Sequence, residues 1–198
     1  MHELRITAML VAISGLVSCT SSPDPKLYKL PDDHSRIQTR GQIGLISLSE
    51  LEMPAYARNL QITTAISSIQ LKEDDQHRWA APPTELFTSA FAQHLEQVVN
   101  EVVLVRPLPS GIRSDFAIEV EFDALFRTEA GGAYTRGQFI LIGPDKSNLT
   151  RRFEFDVVSY SMRYEDYALA LNEALRLLAD EIAESLSELA RSTKADGA

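Results

Sequence analysis

The sequence predicts an α+β fold: a single two-layer domain in which a mainly antiparallel (mixed) sheet of about five to six strands carries two amphipathic helices on one face. Three features point there. Between Phe116 and Val157, apolar and charged residues alternate with a period of two in successive runs. Two other segments, one ending at Asn100 and one closing the chain, repeat apolar residues at spacings of three and four. A chain of 198 residues makes one domain and hardly two.

The elements follow in order. Leu27-Tyr28-Lys29-Leu30 is a short alternating piece, and Pro31 to Gly41 is polar and reads as loop. Gln42 to Leu48 places Ile43, Leu45 and its neighbour Ile46, and Leu48 in strand register. Pro54 breaks the segment from Glu50 to Asn59, after which Leu60 to Leu71 resumes β-branched patterning as one or two strands, and Glu73-Asp74-Asp75 reads as a polar loop. Pro82-Pro83 opens a helix whose Phe87, Ala90, Phe91, His94, Leu95 and Val98 share one side. Val102 to Val105 is a short strand, and the intervening helix is long enough for a crossover if it pairs in parallel with 42–48.

Phe116, Ile118, Val120 and Phe122 then face inward, as do Phe139 and Leu141, and Phe153, Phe155 and Val157. Gly131-Gly132 and Gly143-Pro144-Asp145 separate these runs as hairpin turns. A final helix from about Tyr164 to Ala190 carries the stripe Tyr167, Leu171, Ala174, Leu175, Leu178, Ile182, Leu186 and Leu189, and 191–198 is expected to fray as a disordered tail.

The chain has 19 basic and 28 acidic residues, a formal charge of −9, which removes the electrostatic footprint of a nucleic-acid binder. One cysteine excludes an internal disulfide, a thiolate metal site and a CxxC redox pair. Its position is the informative fact. Ile6 to Val17 is uncharged and mostly apolar, and as a helix it is roughly 18 Å long against a bilayer core of about 30 Å. It therefore has signal-peptide proportions rather than those of a spanning helix. It ends in Leu16-Val17-Ser18-Cys19, which resembles the lipobox of bacterial lipoproteins, where small residues precede the cut and the thiol of the new first residue is acylated. Residues 1–18 are then a signal peptide, 19–26 the lipidated Cys19 and a tether reaching at most about 23 Å, and 27–190 the domain. Thr20 after the cysteine, by the usual sorting rule for such lipoproteins, favours the outer membrane.

Catalytic patterns are sparse. His34, His77 and His94 show no HxxxH or HxH spacing, and GxSxG, GxGxxG and GxxxxGK[ST] do not occur, so neither a metal nor a cofactor is expected. Glu119, Glu121 and Asp123 share a strand face but read as a solvated face opposite Arg136 or Arg152. His94 and Trp79 read as packed core, Trp79 docking the start of the first helix. Met53, Tyr56 and Arg58 lie in the Pro-broken segment and are residue types enriched at interface centres. Exposed, they make a partner surface; folded back, a lid over the sheet.

Tyr28-Lys29-Leu30, the stretch from Met53 to Ile62 (MPAYARNLQI), Arg78-Trp79-Ala80-Ala81-Pro82, and Phe153-Glu154-Phe155 leading to Asp166-Tyr167 resemble, in order and spacing, the ABC-type transport auxiliary lipoproteins. The resemblance covers essentially the whole mature chain. It implies a non-enzymatic outer-membrane lipoprotein, lipid-anchored on the periplasmic face and open to homo-oligomer formation. Such a subunit works with an MCE-domain periplasmic protein and its inner-membrane transporter to move lipid between the membranes. Ala57 stands where the family often has an acidic residue, so the resemblance supplies no charge pair with Arg58. The residues leave open a different class, an envelope structural or regulatory lipoprotein that binds a cell-wall enzyme and carries no lipid.

Overall fold

The structure, a computed structural model, describes residues 23–31, 43–144 and 146–196, with side chains as far as Arg191. The signal segment 1–18, Cys19 and most of the polar loop after Pro31 lie outside the described residues.

Eight strands form one mixed sheet: β1 (Lys26–Tyr28), β2 (Ile46–Leu48), β3 (Gln61–Ser67), β4 (Gln70–Trp79), β5 (Val103–Val105), β6 (Phe116–Arg127), β7 (Ala133–Ile142) and β8 (Asn148–Val157). Among the described residues two helices, α1 (Pro83–Val99) and α2 (Tyr164–Asp196), accompany the sheet in the α+β domain. The sheet is larger than the expected five to six strands, and β4 explains much of the excess. Glu73-Asp74-Asp75, expected in a loop, sit in the middle of β4. Most of β4 is exposed on both faces, so it has no one-sided apolar pattern to read. Pairing makes it a strand, antiparallel with β3 and parallel with β1.

β6 is the spine. Along one edge it pairs antiparallel with β7, which in turn pairs with β8. Its other edge is shared end to end. β2 pairs in parallel with residues 116–118, Glu52 bridges to Glu121, a 3-10 turn over Ala55–Arg58 follows, and β3 rejoins β6 where Thr64 meets Arg127. Backbone hydrogen bonds from Ser49 N–H to the Ile118 carbonyl and from Glu52 N–H to the Val120 carbonyl continue this track along β6 with one extra residue between them. β5 pairs in parallel with β2, and the connection between these parallel strands runs through β3 and β4 before α1 returns the chain to β5. A bulge at Asp123 shifts the register of β6, which turns Leu125 and Arg127 inward in place of even-numbered residues.

The helices pack against one another and feed a single core. Every member of the predicted α2 stripe from Tyr167 to Leu189 is buried. A Leu or Ile buried this completely contributes about 1.5–3 kcal/mol. Trp79, 4% exposed, meets the ring edge of Phe87 at 5.0 Å and lies 5.8 Å from Tyr167, joining β4 to both helices as expected of a core residue. α1 ends at Asn100, which takes a left-handed conformation and donates its N–H to the Glu96 carbonyl. α2 runs on to Asp196, through residues expected to fray. Alanine, lysine and arginine favour helix there, and Arg191 Nε donates to the Ser187 carbonyl. Among the described residues, no helix is long and apolar enough to cross a membrane.

Candidate interaction surface

The segment from Ser49 to Leu60 lies along the split edge of β6, and its three candidate binding residues part company there. Leu51 and Met53 turn inward, and Met53, 7% exposed, belongs to the core. Met53 packs in the core, because one extra residue between the Leu48–Ile118 and Glu52–Glu121 pairings switches the buried positions from even-numbered Ile46 and Leu48 to odd-numbered Leu51 and Met53. Leu51 N–H donates to Thr88 Oγ1 of α1, fastening this track to the helix layer. Tyr56 is half-buried. Its hydroxyl accepts a hydrogen bond from Leu125 N–H at 3.4 Å, its carbonyl accepts one from Thr63 Oγ1, and burial raises its phenol above the ordinary value. Only Arg58 projects into solvent. It stands at a cleft of about 670 Å³ lined also by Ser49, Glu50, Leu51, Glu52, Met53 and Thr84, so the edge of Met53 reaches the cleft that Arg58 borders.

Beside it, on the sheet face away from the helices, Glu119 and Glu121 do not form an acid–base pair. Glu119 lies 3.6 Å from Arg106, and Glu121 accepts from Gln138 Nε2 at 2.9 Å. The partner of Glu119 is thus the arginine following β5, rather than Arg136 or Arg152, which line a separate shallow cleft with Asp123 and Glu154. Exposed pairs of this kind contribute at most about 1 kcal/mol. His94 is buried between the helices with Nε2 3.0 Å from Asn172 Oδ1, the packed role its position on the helix suggests. Among the described residues, no group of three or more His, Cys, Asp or Glu could hold a metal ion.

One cluster escaped the sequence reading. Tyr28 of β1 lies with its hydroxyl 2.6 Å from His77 Nδ1 of β4, and the His77 ring stacks on Tyr164 of α2 at 3.7 Å and 9°. The Arg127 guanidinium sits 4.6 Å over the other side of this arrangement, against the Tyr164 ring, and donates to the Met162 carbonyl at 2.6 Å. Tyr164 in turn donates to Asp74 Oδ2 at 2.6 Å. Burial, aided by that hydrogen bond, pushes Tyr164 up to about 12. For Asp74 burial works upward, but the bonds from Tyr164 and from Gln76 N–H prevail and hold its carboxyl below the ordinary value. Partners 49 and 90 residues apart leave no local signal in the sequence.

An open mixed sheet backed by two helices, with open clefts along its surface, makes this a small α+β domain. The family model for the ABC-type transport auxiliary lipoprotein component matches residues 28–183, and the chain belongs to that family. Two solved structures share its fold. One is a crystal structure of an uncharacterized protein, 16% identical with a TM-score of 0.69, covering 83% of this chain and 99% of that one. The other, from Xanthomonas campestris, is 14% identical with a TM-score of 0.60, covering 88% of this chain and 98% of that one. No curated protein matches the sequence.

Proposed function

We propose that this chain is a non-catalytic, lipid-anchored subunit of an envelope transport system that moves lipid between the inner and outer membranes. In this reading residues 1–18 are removed, Cys19 takes the acyl chains, and 19–26 tether a domain held at the periplasmic face of the outer membrane. The domain docks an MCE-domain protein and, through it, the inner-membrane transporter. The observation that carries the reading is the family match beginning at Tyr28, a short tether after a lone cysteine that closes an apolar run. Arg58 is the partner contact this reading retains from the Met53 to Arg58 segment, supported by its exposure at an open cleft; Tyr56 steadies the turn that presents it.

The test pairs mass spectrometry of the mature protein with capture of the MCE-domain partner. An acylated Cys19 as first residue is expected, with Cys19→Ala left unprocessed. Arg58→Ala should melt within about 0.5 kcal/mol of the parent and lose about 1–3 kcal/mol of partner affinity. An unmodified N-terminus elsewhere sinks the lipoprotein reading. Acylated protein that captures no MCE-domain partner but retains a cell-wall enzyme replaces transport with the envelope-regulatory alternative.

A further inference from the structure

The sheet has two poles, and the topology decides which one the tether leaves from. β1 runs parallel to β4, β4 antiparallel to β3, and β3 parallel to β6. The chain preceding Lys26 is therefore directed toward the pole at which β6 ends. The β3–β4 tip and the loop between β8 and α2 lie at that same pole. Both carry exposed apolar side chains: Ile69 is 95% exposed, flanked by Ile66 and Leu71, and on the loop Val158 is 80% exposed, Met162 65%, and Tyr160 fully so.

The loop holds these residues outward on a built support. Arg127 donates to the Met162 carbonyl, Ser159 Oγ donates to the Ser161 carbonyl at 2.6 Å, and the backbone of Gly131 approaches so closely that a Cβ there would meet the Ser161 carbonyl at 2.5 Å. Exposed apolar side chains gathered at one pole, those of the loop on a fixed support, mark a contact surface.

We propose that this pole is a bilayer-contact surface, with Ile69, Tyr160 and Met162 seated in the headgroup region of the membrane that holds the anchor. The proposal rests on the reading of Cys19 as the lipidated residue. Reach supplies the argument. Cys19 is seven residues from Lys26, a reach of at most about 23 Å at about 3.3 Å each. Beside Lys26, β4 takes the four residues from Asp74 to Arg78 to pass one step of β3, so its tip stands roughly 16 Å beyond His77. The acylated residue can therefore lie no more than about 7 Å beyond the β3–β4 tip, so the tether brings the bilayer close to that tip. A protein seated between them needs at least one layer, about 10 Å, which the tether does not leave. Charge does not supply the attraction: Lys72 on the tip is accompanied by Glu73, Arg163 on the loop pairs with Asp166 at 3.0 Å, and Glu129 and Glu165 lie near the loop in a chain of net charge −9. The contact is apolar, with an exposed tyrosine of the kind that sits at a wet–apolar boundary.

The test uses the chain from Cys19 onward, coupled through its thiol to a maleimide-headgroup lipid in phosphatidylcholine vesicles containing brominated lipid. This imposes the tether whether or not cells acylate Cys19. Tryptophan is placed at the proposed contact (Ile69→Trp, Tyr160→Trp) or at the opposite pole (Ile112→Trp), with buried Trp79 as a constant background. Side chains seated about 5–10 Å into the interface come within reach of the quencher. Most of the added emission should be lost at 69 and 160 and none at 112, equally at high salt. Equal loss at all three positions, or none at 69 and 160, overturns the contact even when mass spectrometry shows Cys19 acylated. An unacylated Cys19 with selective quenching intact counts against the lipoprotein reading alone. If quenching is absent and the double variant Ile69→Asp/Tyr160→Asp converts an oligomer to monomer in sedimentation, the pole is a contact between copies and the proposal fails.

Discussion

The two edges of β6 are made from the same twelve residues yet assembled in opposite ways. Toward β7 the ladder runs from Ala117 opposite Ile142 to Arg127 opposite Ala133, interrupted only by the bulge at Asp123. Toward the other side the edge is divided among β2, the Glu52 bridge, the Ala55–Arg58 turn and the last pairing with β3. The first edge is a hairpin whose partner follows after a short turn, so little loop entropy opposes it and local alternation specifies its register. The second joins residues such as Ser47 and Phe116, 69 apart in sequence, and must be secured by side chains reaching into the helix layer. A regular edge depends on backbone fit. A pieced edge depends on what its segments bury.

That contrast can be broken at three places, beginning with the regular edge. At Gly137 of β7 a Cβ would lie 2.0 Å from the Glu121 carbonyl and 2.9 Å from the Phe122 Cα, next to the bulge. Gly137→Val is expected to cost more than about 3 kcal/mol and to leave little folded protein, read by thermal melting. Near-normal melting would mean that the bulge at Asp123 yields and that the edge is less regular than its register.

On the pieced edge, Met53→Ala removes a buried side chain and should cost about 2–5 kcal/mol in urea denaturation. The fraction that stays folded should bind partners as the parent does. A variant of parental stability with weakened binding would return Met53 to the surface.

The smallest effect belongs where β3 leaves β6. Tyr164→Phe deletes the hydrogen bond to Asp74 and should cost less than about 1.5 kcal/mol at neutral pH. Its signature is in the pH profile. Asp74 has a lowered value in the folded chain, so its stabilisation is present above the ordinary 3.8 and is lost as pH falls through the folded value. Tyr164, raised from 10.0 to about 12, adds stabilisation present below 10 that is lost as pH rises through about 12. The variant should show a smaller alkaline loss, since Tyr28, Tyr56, Tyr134 and Tyr167 remain raised, and a flatter acid limb. Profiles that superimpose would remove the Tyr164–Asp74 bond from the account.

What was legible in the sequence follows the same division. The inward residues of β6, β7 and β8, the α2 stripe and the docking role of Trp79 all come from periodicity or from one large side chain beside a helix start. β4 was not legible, because a strand exposed on both faces has no alternation to show. Met53 shows the limit at the candidate surface. Its residue type suits an interface centre, and only the parallel alignment of Glu52 with Glu121, which no local pattern encodes, turns it into the core. The cluster of Tyr28, His77, Tyr164, Asp74 and Arg127 was hidden for the same reason, each member being ordinary until four elements meet.

β1 adds little to stability with three residues, but it decides how the domain bears a mechanical load. Because it lies parallel to β4, a pull along its axis through the proposed anchor would load β1 lengthwise. The strand is then sheared, and its bonds to β4, with that between Ala80 N–H and the Tyr28 carbonyl, share the strain instead of opening one after another like a zip. Tyr28, stacked with His77 and through it with Tyr164, acts as a rivet that passes the force into β4 and the start of α2. A domain tugged by a moving partner on one side and fixed in a membrane on the other would be gripped at the element that can least easily be peeled away.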